Sequence, residues 1–249
     1  MRIAVAGGTG LVGRHVVEHA GRRGHEVVVL SRSRGVDVCT GEGLASALED
    51  VEAVVDVTNA GTTGERAATA FFTAVAANLQ RIGAESGVRH IVTLSIVGID
   101  RVRTDYYAAK LAHERVATEG PVPSTILRAT QFHEFAGQMI SRTREGSHAW
   151  VPDLRVQTVA ARTVARVLVE HAEGAPAGRA ADLAGPEQAD LVTLARRLVE
   201  RRGEAIEIHP AGSTTGAPPG ALLPGDGARI EGPTFEEWLE SEDAAALPL

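Results

Sequence analysis

Three polar side chains near the middle of the chain have types and spacing that suit proton transfer to a carbonyl group. Tyr106 and Lys110 stand at positions i and i+4, so on a helix both would face the same side. A tyrosine, whose pKa is ordinarily about 10, donates its proton more readily when a nearby ammonium stabilises the phenolate. Ser95 could hydrogen-bond the carbonyl oxygen and orient it. Each residue is also common on protein surfaces, so the catalytic interpretation depends on a hydride source beside all three.

The first residues of the chain predict where such a source binds. Ile3–Ala6 is a short apolar run that suits a buried strand, and apolar residues with helical spacing start at Leu11. Between them, Gly7, Gly10 and Gly13 would permit a tight turn, close approach to a pyrophosphate and close packing of helix on strand. The free N–H groups at the helix start attract phosphate. A glycine-rich turn that binds nothing is the alternative, and the strand and helix around it favour a dinucleotide site.

The residues after the second apolar run indicate which dinucleotide binds. Val27–Leu30 completes a strand–helix–strand unit, and Ser31, Arg32 and Arg34 follow it. In an NAD(H) site an acidic residue near this place bonds the ribose hydroxyls, whereas a guanidinium here can pair with a 2′-phosphate. The sequence therefore predicts NADP(H), although two arginines in a surface loop can also simply face water. The residues predicted to bind it are Gly7, Thr9, Gly10, Leu11, Val12, Gly13, Ser31, Arg32, Arg34, Thr58 and Asn59.

Strands and helices alternate through the first half of the chain. The strand Val51–Val57 ends in the polar segment Thr58–Gly61, and ligands of open α/β sheets bind at such carboxyl ends. Asp56, inside that strand, is interpreted as a hydrogen-bonded structural residue. Strands are also predicted over His90–Leu94 and Ser124–Arg128 and, weakly, Gly35–Cys39; helices are predicted over Leu44–Asp50, Glu65–Ser86, Asp105–Thr118 and Phe132–Arg142. The alternation predicts an α/β fold, a doubly wound parallel sheet of the Rossmann type, in a single domain over 1–249.

In residues 129–249 the alternation loosens, and these residues are predicted to supply most of a small substrate lid. Asp190 is placed to be the N-cap of a helix that ends before Gly203. Thr234–Glu237 fits a capping box that opens a short helix. Ala211–Gly232 is rich in glycine and proline and is predicted to be a long loop.

Apolar residues gather in sequence around the proposed reaction centre. Ligand pockets are mostly apolar with a few orienting polar groups, so the expected substrate is a small apolar carbonyl or quinone-like compound. Ordinary core packing explains the aromatic stripe equally well. The predicted pocket residues are Ile96, Val97, Phe132, Phe135, Met139 and Trp150. His133 and Glu134 are adjacent and would diverge on a helix, and no residues have zinc-site spacing, so no metal is predicted.

The composition restricts the partners. A formal net charge of −7 and a pI near 5.7 give no electrostatic reason to bind nucleic acid or an anionic membrane. The single cysteine, Cys39, excludes an intramolecular disulfide and indicates a reducing compartment. The sequence enters its first strand without a leader-like segment, and no apolar run is long enough to span a membrane. We expect a cytoplasmic protein with a small-molecule partner, and the sequence sets no oligomeric state.

The motifs resemble those of the short-chain dehydrogenase/reductases, and specifically their atypical NmrA-like branch. The segment Gly7–Gly13 is similar to that branch's nucleotide motif, and Arg32 to its basic NADP(H) residue. Ser95 resembles the serine after the strand, and Tyr106 with Lys110 resembles the superfamily's proton donor and its helper. The segment from Arg128 through Ala129 to Phe132 resembles the one that borders nicotinamide and substrate. The resemblance implies that Lys110 also touches the nicotinamide ribose and that Ala129 contacts the cofactor.

Three functions follow from this resemblance. The first is an NADP(H)-dependent oxidoreductase with Ser95, Tyr106 and Lys110 as catalytic residues. The second is a sensor that binds NADP(H) without turning it over, as some NmrA-like members do; many of these lack the Tyr/Lys pair that this chain keeps. The third is an epimerase or dehydratase of nucleotide sugars, for which little chain remains. One difference stands out, because Phe71 and Phe72 lie roughly where many superfamily enzymes have a proton-relay asparagine.

Arg32 provides a test of cofactor choice. NADPH should bind more tightly than NADH, and Arg32→Asp should invert the order, because it replaces a phosphate partner with a charge that repels phosphate. A charge-assisted hydrogen bond contributes about 1.5–3 kcal/mol, so the preference should be at least about tenfold. Calorimetric titration of both dinucleotides measures it, and equal affinities in the parent would contradict the assignment.

Overall fold

A parallel β-sheet organises the chain, seen in a computed structural model that describes residues 1–62, 64–102, 104–212, 218 and 220–247. The strands are β1 (Arg2–Ala6), β2 (Glu26–Leu30), β3 (Ala53–Asp56), β4 (His90–Ile96), β5 (Ser124–Ala129), β6 (His148–Pro152), β7 (Arg155–Val156), β8 (Gly178–Arg179), β9 (Leu183–Ala184), β10 (Ala189–Asp190), β11 (Glu207–Ala211) and β12 (Arg229–Ile230). The helices are α1 (Leu11–Arg22), α2 (Leu44–Ala47), α3 (Glu65–Glu85), α4 (Asp105–Glu119), α5 (Phe135–Thr143), α6 (Ala161–Glu173), α7 (Leu191–Arg202), α8 (Phe235–Leu239) and α9 (Glu242–Ala245).

The eight strands of the main sheet run in the order β12-β9-β5-β4-β3-β1-β2, with β8 also paired to β5. All of these pairs are parallel. The order reverses at β1, which lies between β2 and β3. Such a reversal opens a crevice at the carboxyl ends of the neighbouring strands, where ligands bind in this kind of sheet. The predicted doubly wound α/β fold is confirmed.

The two faces of the sheet bury alternate residues of each strand. Ile3 and Val5 of β1 pack with α1 and α6 on one face, and Ala4 and Ala6 pack with α2 and α3 on the other. Helix α4 lies on the second face, where Ala117 packs on Ile126 of β5. The central strands are therefore apolar on both sides, which explains why their sequences read as continuous apolar runs.

The C-terminal elements have a core of their own. Helices α5, α7, α8 and α9 pack with the two-stranded sheet β11-β6 around a separate group of buried apolar residues. Thr234 and Glu237 form the predicted capping box, and Phe235, Trp238 and Leu239 of α8 are buried as expected. Among the described residues, none of the helices combines the length and apolar character needed to cross a membrane.

Four local predictions differ from the structure. Gly35–Cys39 is a turn rather than a strand, because the Asp37 carboxylate accepts the N–H groups of Cys39 and Thr40 and bends the chain. Helix α5 begins at Phe135, since Phe132 is held by a backbone bridge to Val159. Asp190 is the N-cap residue of α7, as predicted, but its side chain makes no capping bond.

The fourth difference concerns the long loop predicted over Ala211–Gly232. Residues 213–217 and 219 of that loop lie outside the described part of the chain. Further along, strand β12 pairs with β9, and the buried Ala221 and Leu222 pack against Val102. This segment therefore covers the loop between β4 and α4, and it is held there because Gly98 leaves room for the Ala221 carbonyl oxygen.

Two glycines of α1 allow a test of how the helix joins the sheet. A Cβ at Gly13 would overlap the Gly7 carbonyl oxygen, whereas a Cβ at Gly21 would meet nothing within 4 Å. Gly13→Ala should therefore lower the free energy of unfolding by about 1–3 kcal/mol, as overpacking does. Gly21→Ala, the control in the same helix, should raise it by about 0.5–1 kcal/mol. Urea unfolding of the cofactor-free protein measures both, and equal effects would contradict the close contact.

Candidate active site

The glycine turn leaves an open backbone surface at the start of α1. Gly7 has φ of +80°, and a Cβ there would lie 2.9 Å from the Val57 carbonyl oxygen. The N–H of Gly10 donates to the Gly7 oxygen at 2.9 Å and closes the turn. Among the described residues no side chain caps α1, so the N–H groups of its first turn can bind an anion. This cradle fits the pyrophosphate of a dinucleotide.

The other predicted residues of the turn differ in what they can offer. Thr9 and Gly10 are exposed at its tip. Leu11 packs on the core and Val12 is buried in it, so only their backbone groups face the turn. Gly13 provides the close contact between the start of the helix and the glycine turn, where a Cβ would lie 2.0 Å from the Gly7 carbonyl oxygen.

The basic segment follows β2 at the same edge of the sheet. Arg32 and Arg34 lie in a short 3₁₀ turn, and both are exposed. In the described part of the chain neither guanidinium forms an ion pair; Ser31 bonds the Ser33 hydroxyl at 3.0 Å. The carboxyl end of β2 adjoins the glycine turn, because the Gly7 N–H lies 3.4 Å from the Leu30 carbonyl oxygen. The segment is placed to meet the adenosine side of a dinucleotide.

The tip after β3 connects the cradle to the predicted catalytic residues. The Thr58 N–H and hydroxyl donate to Asp56 at 2.9 and 2.7 Å, so the Thr58 side chain is turned toward Asp56. The Thr58 backbone lies beside Gly7. Asn59 is exposed, and its Oδ1 accepts a hydrogen bond from the Tyr106 hydroxyl at 2.9 Å. Burial, with Tyr107 nearby, raises the pKa of Tyr106 above its ordinary value.

Ser95 lies near the end of β4, with only 3% of its surface exposed. Its Oγ has no hydrogen-bond partner among the described residues. A buried hydroxyl without a partner costs free energy, so a water or ligand atom that bonded the Ser95 Oγ would relieve that cost. The neighbouring carboxyl end of β5 is Ala129, whose carbonyl oxygen accepts from the Val97 N–H at 3.0 Å.

Lys110 is the first member of a buried chain of hydrogen bonds. Its Nζ donates to the Leu94 carbonyl oxygen at 2.9 Å and lies 3.0 Å from Nδ1 of His113. On the other side of that ring, Nε2 lies 2.9 Å from Oδ2 of Asp56. Since Nδ1 accepts from the ammonium, Nε2 carries the ring proton and donates to the carboxylate. The chain thus links α4 to both β3 and β4.

The charges of this chain follow from burial and pairing. Burial by itself would raise the pKa of Asp56, but His113, the Thr58 N–H and Lys110 hold it at about 2. Burial lowers the pKa of Lys110 to about 8, against the opposing effects of Asp56 and Glu114. Burial and the Lys110 charge also lower the pKa of His113. At neutral pH the chain therefore holds an ammonium, a neutral imidazole and a carboxylate.

In the described residues Lys110 and Tyr106 do not bond each other. The Lys110 ammonium bonds Leu94 and His113, and the Tyr106 hydroxyl bonds Asn59, so the support of a Tyr106 phenolate by Lys110 stays a prediction. A buried ammonium needs partners, and the Leu94 carbonyl and the His113 ring supply them.

Phe72 occupies the space between these groups. Its ring lies 4.6 Å from the Lys110 ammonium, stacks on His113 at 4.9 Å and meets the edge of Tyr106 at 5.9 Å. The ring face attracts the cation, and the apolar surface excludes water from the buried chain. In this protein an aromatic ring therefore contacts the lysine from the helix in which many superfamily enzymes carry a relay asparagine.

A second polar contact fixes α4 to the sheet. Arg128 of β5 is 6% exposed, and its guanidinium grips the Glu114 carboxylate with two bonds of 2.6 Å. It also donates to Asp100 at 2.9 Å. Burial opposes the charge of Arg128, but Glu114 and Asp100 raise its pKa overall. The bonds to Glu114 hold the face of α4 that carries Tyr106 and Lys110 against the carboxyl edge of the sheet, and the bond to Asp100 holds the loop that precedes α4.

The predicted pocket residues do not form one group. Val97 is fully buried and Phe132 packs on the sheet core, whereas Phe135 and Met139 pack on the C-terminal core. Trp150 is 39% exposed and stacks on His209. Ile96, half-buried at the end of β4, directly follows Ser95. For the stripe of Phe132, Phe135 and Met139, core packing describes the contacts better than a shared pocket wall.

His133 and Glu134 turn to different partners. His133 bonds Thr158 at 2.7 Å and the Pro233 carbonyl at 3.1 Å, and burial lowers its pKa to about 4. Glu134 accepts from the Ala161 N–H at the start of α6, and burial raises its pKa to about 7. They do not act as an acid–base pair.

Sequence reasoning missed His113. It stands three positions after Lys110 in the stripe that begins at Tyr106, so helical spacing alone could have placed it beside the lysine. Its pairing with Asp56 across the sheet had no signal in a single sequence.

Comparison with known proteins agrees with this geometry. A family model described as NAD(P)H-binding matches residues 7–174. The photosystem II assembly factor Ycf39 of Synechocystis sp. is 33% identical over an alignment of 111 residues, and the match covers 39% of this chain and 34% of that relative. The matched region thus spans about a third of the relative's length.

Several solved structures share the fold at low sequence identity. The enzyme WbmH of Bordetella bronchiseptica in complex with NAD⁺ has a TM-score of 0.75 and 18% identity, with 95% of both chains covered. A short-chain dehydrogenase/reductase superfamily protein of Agrobacterium tumefaciens with bound NAD has a TM-score of 0.70 and 18% identity over 99% of this chain and 97% of its own. The UDP-glucose 4-epimerase of Thermus thermophilus in complex with NAD has a TM-score of 0.70 and 17% identity, with 88% of both chains covered.

The family match extends over more than half of the chain and includes the glycine turn, Ser95, Tyr106 and Lys110. The chain therefore belongs to the NAD(P)H-binding family and has a Rossmann-type fold, as the resemblance of its motifs to NmrA-like short-chain dehydrogenase/reductases implied.

Proposed function

We propose that the protein is an NADP(H)-dependent oxidoreductase that reduces an apolar carbonyl or quinone-like compound by hydride transfer. The observation that carries the proposal is the buried Ser95 Oγ without a partner among the described residues, at the same sheet edge as the Tyr106 hydroxyl and the Lys110 ammonium. A substrate oxygen bound there would give Ser95 its missing hydrogen bond. The family membership supports a dinucleotide beside this edge.

The residues that would hold the cofactor follow the crevice at the carboxyl edge. The N–H groups after Gly7 and Gly10 would receive the pyrophosphate, and Ser31, Arg32 and Arg34 the 2′-phosphate of NADP(H). The Thr58 backbone, Asn59, Lys110 and Ala129 would border the nicotinamide ribose and ring. Bound NADPH would supply the hydride.

The protein's own groups would then complete the reduction. Ser95 would hydrogen-bond the carbonyl oxygen and orient it for attack. As the carbon accepts the hydride, the oxygen gains negative charge and takes the Tyr106 proton, which gives an alcohol. For this Tyr106 must exchange its bond to Asn59 for one to the substrate. Lys110, held in place by His113 and Asp56, would stabilise the resulting phenolate.

The proposed substrate lid comes from residues 129–249. The buried pair Ala221 and Leu222 packs with Leu154 against Val102, on the loop that leads from β4 to α4. This apolar cover, on the loop that follows Ile96 in sequence, favours an apolar substrate, since most ligand pockets are apolar. We retain a cytoplasmic location and a small-molecule partner as part of the proposal.

Two alternatives remain as outcomes of the tests. A nucleotide-sugar epimerase or dehydratase gains support because this chain covers 88% of the Thermus thermophilus epimerase chain, which weakens the objection that too little chain remains. A non-catalytic NADP(H) sensor acting on a protein partner gains support from the similarity to an assembly factor.

The Lys110 pKa predicts how cofactor binding depends on pH. Because that pKa is about 8, the ammonium is lost as the pH rises through this value, and NADPH affinity should fall between pH 7 and 9.5. Exchanging a charged for a neutral hydrogen-bond donor costs about 1 kcal/mol, or roughly fivefold in affinity. Fluorescence titration of NADPH measures this. Lys110→Met should bind NADPH weakly, and its affinity should show no fall near pH 8. The same fall in Lys110→Met would mean that a group other than Lys110 causes it.

Substitution of Tyr106 separates an enzyme from a sensor. Tyr106→Phe should leave NADPH affinity nearly unchanged and lower turnover by about 10²–10⁴-fold, the usual effect of losing a positioned acid. Lys110→Ala should damage both turnover and cofactor binding. The measurement is single-turnover NADPH oxidation with a panel of apolar ketones, quinones and a nucleotide sugar, with Tyr107→Phe as the matched control.

Each alternative gives a different result in that assay. A sensor would show the same slow or absent NADPH oxidation in the parent and both variants. Protection against thermal unfolding by the nucleotide sugar alone would favour the epimerase or dehydratase. Full activity in Tyr106→Phe would remove the tyrosine from the mechanism and leave protonation by solvent, as a quinone allows.

A further inference from the structure

Two short strands far apart in sequence bring four ring and carboxylate side chains onto one exposed face. Strand β6 pairs in parallel with β11, so His148 stands opposite Glu207, and Trp150 opposite His209. Because side chains alternate between the two faces of a strand, these four share one face. The intervening Ala149 and Ile208 are buried in the C-terminal core, which leaves the polar face outward.

The three polar side chains of this face converge. Nδ1 of His148 lies 3.0 Å from Nε2 of His209. The two oxygens of Glu207 lie 3.6 Å from the first nitrogen and 3.8 Å from the second. The rings of His148 and His209 stack at 5.2 Å, and Trp150 stacks on His209 at 5.4 Å. The ligand atoms of the two imidazoles and the carboxylate therefore all lie within 4.8 Å of one another.

We propose that His148, Glu207 and His209 bind a divalent transition-metal ion of the zinc type. Imidazole nitrogen and carboxylate oxygen are the ligands zinc takes, and three protein ligands leave one position for water. Two nitrogens each about 2.0–2.1 Å from one ion stand roughly 2.9 Å apart at a right angle and about 3.3 Å apart at a tetrahedral angle. The observed 3.0 Å separation lies within that range.

The site lies outside the proposed active site and does not depend on the proposed function. The sequence-based prediction of no metal was drawn from spacing along the chain, which cannot show that β6 and β11 are neighbours. A bound ion would add a cross-link between two strands that backbone bonds, stacked rings and the core beneath them already join. The ion would therefore stabilise the C-terminal elements.

Trp150 provides an internal reporter for binding. It is 39% exposed and stacked on a proposed ligand, whereas the other tryptophan, Trp238, is 2% exposed within the C-terminal core. A metal ion held by His209 should change Trp150 fluorescence, and a paramagnetic ion such as Ni²⁺ should quench it. Trp150→Phe should remove that signal and leave metal binding intact.

The test is calorimetric titration of the tag-free, chelator-treated full chain with ZnCl₂, with NiCl₂ quenching of tryptophan fluorescence as a second measurement. We expect one ion per chain and a rise in melting temperature of about 5–10 °C at a hundredfold excess over Kd. His148→Ala and His209→Ala should each weaken binding by at least about a hundredfold, since even indirect support of a metal costs 10- to 100-fold when lost. His171→Gln, the control for ordinary histidine binding, should change nothing.

The proposal fails if the parent shows no saturable zinc binding up to about 1 mM, or if one tight ion remains in the His148→Ala/His209→Ala double variant. It also fails if NiCl₂ quenches the parent and His209→Ala equally. The parent titration decides the question even if a variant folds poorly, and circular dichroism checks each variant's fold.

Discussion

Burying the Lys110 ammonium constrains the rest of the site. An unpaired charge inside a protein is costly, and here the Leu94 carbonyl and the His113 ring both accept from the ammonium, while the Asp56 carboxylate accepts from the other side of that ring. Those partners come from β4, α4 and β3. The chain of hydrogen bonds therefore sets how α4 sits on the sheet, and with it where Tyr106 points.

The positioning has a chemical consequence for the proposed reaction. Because Asp56 is ionised and His113 neutral at neutral pH, Lys110 keeps its charge there, although burial lowers its pKa to about 8. The Phe72 ring covers one side of this chain of hydrogen bonds, and the ion pair of Arg128 with Glu114 fixes helix α4 to β5. In the proposed reaction Tyr106 would exchange its bond to Asn59 for one to the substrate, while Lys110 stays fixed one helical turn further along α4.

The sequence predicts the fold well because periodicity and glycine placement are local signals. Strand β1, the glycine turn, α3 and the capping box at Thr234 follow from spacing alone. Side-chain contacts between distant segments have no such signal: Asp56 with His113, His148 with His209, and Ala221 against Gly98 depend on topology. The turn at Asp37 was mistaken for a strand because its carboxylate competes locally for backbone N–H groups.

Amide hydrogen exchange with and without NADP⁺ tests most directly the claim that the dinucleotide lies across the carboxyl edge beside Lys110. We expect slower exchange in the glycine turn from Gly7 to Val12, at Thr58 and Asn59, and at the exit of β4 from Ser95 to Val97. We expect no change in β8 or β12, at the other side of the sheet. Unchanged exchange at the glycine turn, or protection limited to the C-terminal elements, would contradict it.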